Sequence, residues 1–235
     1  MASPVKIKAT VEQVVRHTDT LASYQLVPHG RVPKFHAGQF LHLALDDYHP
    51  DRPWPESRVF SIASAPSSRA TNLAVTIAAK GRFTQRIVHT LKPGSECWLK
   101  LPYGEFVFPP DLHLTLIAGG VGITPYLSLL RQMLEDKSPQ RVHLYYGVRN
   151  AQHYLFGELI RRCADELANF NATVFCEDGS LPGASGILDI AAIHTAAPAD
   201  TTFYLSGPPA MIAVFRERLC DLGVEADRVR IDDWE

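Results

Sequence analysis

The sequence predicts an antiparallel β-barrel followed by a doubly wound α/β domain with a parallel sheet. Three observations predict it. The first part of the chain carries short, partly alternating apolar runs broken by Gly and Pro. The second part carries continuous apolar runs that end in small or polar residues, with longer helical patterns between most of them. The rhythm changes at Pro109-Pro110, which places a barrel domain over residues 1–110 and an α/β domain over 111–235.

The barrel strands follow in order. "VKIKATVEQVV" (5–15) and "FLHLAL" (40–45) alternate, "RVFS" (58–61) is a short strand, and "LAVTIAA" (73–79) is β-branched. "CWLKLPYGEFVF" (97–108) closes the half. Turn formers separate these runs at Pro28-His29-Gly30, Ala37-Gly38, Pro50 through Pro55 and Pro93-Gly94. The polar, proline-rich "DDYHPDRPWPES" (46–57) reads as a loop, because proline cannot donate to a strand ladder. In the second domain the strands are "LTLIAGG" (114–120), "RVHLYYG" (141–147), "ATVFCEDG" (172–179), "TFYLSGPP" (202–209) and "RVRI" (228–231). Helices lie between most of them. Leu127, Leu130 and Leu134 recur at helical spacing, as do Ile212, Phe215, Leu219 and Leu222.

Composition narrows the function classes. Hydrophobic residues are 46% and charged residues 20%, an ordinary globular balance. A net charge of −2 argues against a nucleic-acid binder. No apolar stretch is long enough to span a bilayer, and the N-terminus has no signal-peptide core, so a soluble, cytoplasmic protein is expected. Cys97, Cys163, Cys176 and Cys220 lie far apart, and His36, His42 and His49 lack helical ligand spacing. Free thiols and no metal site are expected.

Open parallel sheets bind ligands at the carboxyl ends of their strands. "LTLIAGGVGITPYLSLL" reads as strand, glycine turn and helix, with Gly119, Gly120 and Gly122 permitting close backbone approach. Thr124 fits the helix N-cap and Pro125 the first turn, so the free N–H groups there suit a pyrophosphate. "YYGVRN" puts Gly147 and Arg149 at the next strand end. "LSGPPAMI" puts Ser206, Gly207 and Pro208 after a later strand and Met211 on the helix that follows. Adjacent prolines make that turn rigid.

Read together, "RVFS" (58–61), "GRFT" (81–84), "GGVGITP" (119–125), "SGPPAM" (206–211) and "DDW" (232–234) resemble, in order, the signatures of the ferredoxin–NADP(H) reductase superfamily. That family pairs a flavin-binding barrel with a nicotinamide-binding α/β domain, and the resemblance covers nearly the whole chain. It implies FAD as cofactor, NADH or NADPH as hydride donor and a redox protein as electron acceptor. By the resemblance, Arg58 pairs with the flavin pyrophosphate through its guanidinium fork. Val59 and Phe60 line the flavin, and Ser61 lies near flavin N5. Ile77 and Ala78 offer backbone groups. Gly81, Arg82, Phe83 and Thr84 start a helix that holds the pyrophosphate. Gly120, Gly122, Thr124, Pro125, Gly147, Arg149, Gly207, Pro208 and Met211 hold the nicotinamide dinucleotide. The groups nearest the chemistry are Ser61, Ser206, Asp232 and Trp234, with Trp234 covering the flavin face.

Two departures stand out. The family run usually begins with cysteine where this chain has Ser206. No ferredoxin-type cysteine cluster is present, so a separate acceptor such as a ferredoxin, flavodoxin or oxygenase component is expected. "LPYG" (101–104) is also similar to a run in the dehydrogenase part of ferric reductases and NADPH oxidases. "EDGSLPGASG" (177–186) loosely resembles electron-transfer subunits of dihydroorotate dehydrogenases. Two alternatives therefore stand beside the main expectation: a flavin reductase that releases reduced flavin, and an electron-transfer subunit of a larger complex. Arg149 favours NADPH, whereas Glu177 and Asp178 favour NADH; the balance leans to NADH.

Overall fold

The computed structural model describes residues 3–66, 72–110 and 113–232. The chain divides into two compact units, Met1–Val107 and Phe108–Glu235.

In the first unit the strands are β1 (Val5–Thr18), β2 (Leu21–Pro28), β3 (Phe40–Ala44), β4 (Ser57–Ser61), β5 (Leu73–Ala78) and β6 (Glu96–Tyr103), with helix α1 (Arg82–Thr90) before β6. All pairs are antiparallel, in the order β4-β3-β6-β1-β2-β5. The two edges meet where Ala63 N–H donates to the Ala74 carbonyl at 2.7 Å, so the sheet nearly closes into a barrel. Register shifts between Val11 and Gln13 and between Arg16 and Thr18 mark bulges along the fourteen-residue β1; such bulges bend a strand and increase its twist. The alternation in β6 is plain: Cys97, Leu99 and Leu101 are buried while Trp98 and Lys100 are only partly covered. Leu41, Leu43, Tyr24, Leu26, Val75 and Ile77 join them inside, and Phe83 and Ile87 of α1 pack onto this core.

In the second unit the order is β7 (His113–Gly119), α2 (Thr124–Asp136), β8 (Val142–Val148), α3 (Gly157–Glu166), β9 (Phe170–Cys176), β10 (Ala184–Ser185), α4 (Ile190–Ala196), β11 (Thr201–Ser206), α5 (Pro209–Asp221) and β12 (Val229–Ile231). The sheet is parallel throughout, in the order β10-β9-β8-β7-β11-β12. The chain leaves β7 toward β8 and β9, then returns to the other side of β7 with β11. Right-handed crossovers then put α2 and α3 on one face and α4 and α5 on the other, and each pair packs together. The expected barrel and doubly wound domain are both present. The strand order reverses at β7 and β11, which makes that junction the topological switch point. None of the described helices is long and apolar enough to cross a membrane.

Candidate functional site

One group of candidate residues is gathered where β4 and β5 end beside α1. Gly81 caps α1 in an extended conformation, φ −148°. Thr84 Oγ1 accepts from the N–H groups of Lys80 and Gly81, both at 3.0 Å, and donates to the Gly81 carbonyl at 2.9 Å. That network fixes the turn and leaves the first helical N–H groups pointing out of the helix end. No acidic residue occupies the first turn, so the positive end of the helix dipole is uncompensated from within the helix.

Arg58 leans over this helix start. Its guanidinium carbon lies 5.0 Å from the centre of the Phe83 ring. Nη1 donates to the Ser57 carbonyl at 2.8 Å and Nη2 to Glu56 Oε1 at 3.1 Å. A cavity of about 490 Å³ opens here, lined by Glu56, Arg58, Lys80, Gly81, Arg82, Phe83 and Thr84. Three cationic side chains and a helix N-terminus around one open cavity suit a pyrophosphate. Ser61 is 7% exposed on β4, paired across the ladder with Phe40. Phe60 is half-buried, Ile77 is buried at the end of β5, and Ala78 follows it with its carbonyl accepting from Lys80 N–H at 3.0 Å.

A second group, within the α/β unit, is gathered at the switch point. A 3₁₀ turn, Gly120–Ile123, runs from β7 straight into α2. Gly120 takes a left-handed φ of +54°, and winding therefore begins four residues before the helix proper. This corrects one expectation. Thr124 is the first residue of α2 rather than its N-cap; Ile123 holds the cap position without a side-chain bond, and Pro125 sits in the first turn. A Cβ on Gly122 would lie 2.3 Å from the Ser206 carbonyl oxygen, and one on Gly119 would meet Pro208 and Met211 at 2.8 Å. Gly207, at φ +156°, in turn faces Met211 and Gly119. The glycine turns after β7 and β11 thus touch backbone to backbone, which is why both need glycine.

Ser206 does not cap α5, whose cap position is Pro208. Its hydroxyl donates to Asp232 Oδ2 at 2.9 Å, and both residues are buried. Asp232 N–H donates to the Leu205 carbonyl at 3.0 Å, so the carboxylate is carried by a continuation of the β11–β12 pairing. The Tyr126 hydroxyl donates to the carbonyls of Ile117 and Tyr204, at 3.1 and 2.9 Å, which joins β7 to β11 beneath the crevice. Burial, with the Asp232 carboxylate adding to it, pushes the Tyr126 phenol well above its ordinary range. Trp234 lies outside the described residues.

Gly147 packs against Leu188, where a Cβ would sit 2.9 Å from Cδ1. Arg149 is exposed just beyond β8. Asp178 is turned into its own loop: Oδ1 accepts from Ser180 N–H at 2.9 Å and from Cys176 Sγ at 3.2 Å. Those bonds, Ser180 foremost, hold its carboxyl below the usual range. Sequence reasoning missed Glu56, Lys80 and Tyr126. Glu56 and Lys80 fall in turns next to recognised motifs, and only their nearness to Arg58 and Gly81 marks them; Tyr126 reads as a core residue of a helix. Among the described residues there is no cluster of His, Cys, Asp or Glu fit to hold a metal ion.

Residues 116–217 match the family model described as "Oxidoreductase NAD-binding domain". The chain is 28% identical over 243 residues to a flavohemoprotein of Rhodopirellula baltica, covering 94% of this chain and 59% of that protein. It is 30% identical over 190 residues to the reductase component of propane 2-monooxygenase from Mycolicibacterium goodii, covering 76% and 55%. A ferredoxin NADP+ reductase from Neisseria gonorrhoeae, solved with bound FAD and NADP, superimposes with a TM-score of 0.78 at 20% identity over 98% of both chains. Residues 116–217 thus form an oxidoreductase NAD-binding domain, and the whole chain shares the fold of that ferredoxin NADP+ reductase. The chain spans little more than half the length of the two curated relatives named.

Proposed function

We propose that this protein is an FAD-dependent NAD(P)H oxidoreductase that supplies electrons singly to a redox-protein acceptor. The observation that carries this reading is the cavity at the start of α1, where Arg58, Lys80 and Arg82 surround free helical N–H groups. FAD bound there would take a hydride from NAD(P)H and release the two electrons one at a time. The residues of this chain supply placement. Arg58, Arg82 and the first turn of α1 hold the pyrophosphate, with Gly81 leaving room and Thr84 fixing the turn. Val59, Phe60 and Ser61 of β4, with Ile77 and Ala78 of β5, flank the ring system.

In the α/β domain, Gly120, Gly122, Thr124 and Pro125 receive the dinucleotide phosphates at the start of α2. Gly207, Pro208 and Met211 form the opposing wall. Ser206, its proton committed to Asp232, presents its remaining lone pairs and positions the nicotinamide. Gly147 and Arg149 serve the adenosine end. Orientation of two reactants accounts for most of such catalysis, so little acid–base chemistry is needed. A separate acceptor, an oxygenase component or a ferredoxin, is supported by the reductase components among the relatives.

Anaerobic titration of the purified protein with NADH and, separately, NADPH tests the proposal. A yellow protein whose visible flavin bands bleach with one nucleotide supports it and identifies the donor. A protein that neither carries nor takes up flavin refutes it.

A further inference from the structure

We infer that Glu56 makes the anion site of the barrel selective for a flavin dinucleotide over a flavin mononucleotide. The inference rests on the reading that this cavity holds a flavin phosphate. Glu56 is the one acid among the residues that line it, set against Arg58, Lys80 and Arg82. It precedes β4, two residues before Arg58, and so shares that arginine's side of the chain. Its Oε1 lies 3.1 Å from Arg58 Nη2, and both side chains are 52% exposed, open to a ligand.

Glu56 is not needed to orient Arg58. The Ser57 carbonyl holds Nη1, and the Phe83 ring supports the guanidinium face. Nor is it a buried charge that the fold must neutralise. What it adds is a fixed negative, acceptor-only group at the edge of a phosphate site. Two ligands meet that group differently. A phosphate monoester, as in a mononucleotide, concentrates nearly two negative charges on one phosphorus at neutral pH. It gains from Arg58 but is repelled by Glu56. A pyrophosphate diester carries one charge on each phosphorus, and the ribose beyond it offers hydroxyl donors. A carboxylate accepts from such hydroxyls, as the acid of a dinucleotide fold does. Glu56 therefore opposes the mononucleotide and completes the dinucleotide.

The test measures affinity rather than turnover. The full chain, freed of bound flavin, is titrated with FAD and with FMN, and quenching of flavin fluorescence is followed. Wild type is expected to bind FAD more tightly. Glu56→Gln should improve FMN affinity by about tenfold, the size of one like-charge contact at a solvated surface, while FAD affinity holds or falls. Glu56→Asp, which keeps the charge, should keep the preference. Added salt should shrink the FMN gain, since screening already weakens the repulsion. An unchanged FAD-to-FMN ratio in Glu56→Gln overturns the inference, as does equal improvement for both flavins. If the wild-type chain and Arg58→Ala bind both flavins equally well, or neither binds any, the location of the site itself is wrong.

Discussion

A methyl group added at Gly122 would sit 2.3 Å from the Ser206 carbonyl oxygen, and that atom is backbone, so nothing nearby can swing aside. At Gly81 the same methyl would meet nothing within 4 Å, and the backbone there is extended. Gly122→Ala should therefore cost about 3 kcal/mol of stability in urea unfolding and weaken nucleotide binding. Gly81→Ala should change stability by less than about 0.5 kcal/mol. Equal effects would mean that the two glycine turns do not touch. Gly122 was legible as a turn residue in the sequence, because strand, glycine and helix follow one another there; Gly81 was marked through the family resemblance of "GRFT". Their different reasons were not. One is glycine because a distant strand end presses on it, and no local pattern records a contact across 84 residues. Ser206 and Asp232 were likewise legible one by one, but not as a hydrogen-bonded pair.

Among the elements, α2 does more than fill a crossover. Its Tyr126 is fully buried and donates to one carbonyl on β7 and one on β11. Tyr126→Phe keeps the ring and removes the hydroxyl that makes those bonds. It should lower the stability by about 1 to 2 kcal/mol and loosen NAD(P)H binding more than flavin binding, measured by urea unfolding and separate ligand titrations. Strands and helices were largely legible from period and punctuation, since their apolar spacing reflects the face each one buries. The start of α2 was misread by one turn feature. Thr124-Pro125 is a common helix opening, but the left-handed Gly120 begins the winding earlier. The near-closure of the barrel through Ala63 and Ala74 was also not visible, because it joins residues outside strand pairing.

At the scale of the whole molecule, four histidines share one trend. Burial lowers the pKa of His17, His42, His113 and His143 below 6.5, with Lys100 adding to the effect at His42, Arg141 at His113 and His113 at His143. The folded state thus prefers them neutral, and the unfolded chain binds the extra protons. Their contribution is present above the unfolded value and is lost as pH falls through the folded values. The carboxylates held down by partners, Asp46, Glu166 and Asp178, begin to matter only at lower pH. The urea midpoint should therefore fall between about pH 7.5 and pH 5.5, above the range in which Asp46, Glu166 and Asp178 take up protons. Replacing His113 and His143 together by Asn should flatten that fall; an unchanged slope would place the effect elsewhere.

The hydroxyl of Thr201 at the start of β11 donates to the carbonyl of His113 at the start of β7, and these two residues are 88 apart in the chain. The crevice proposed for the dinucleotide lies at the carboxyl ends of the same two strands. Closing a loop of that length is slow, since its entropy must be spent before the pairing returns anything. On the proposed placement, a nicotinamide dinucleotide would have no site to bind until the last strand beside β7 has arrived. Bound there, it would act on the finished sheet as a brake on unfolding and leave the speed of folding to the chain alone.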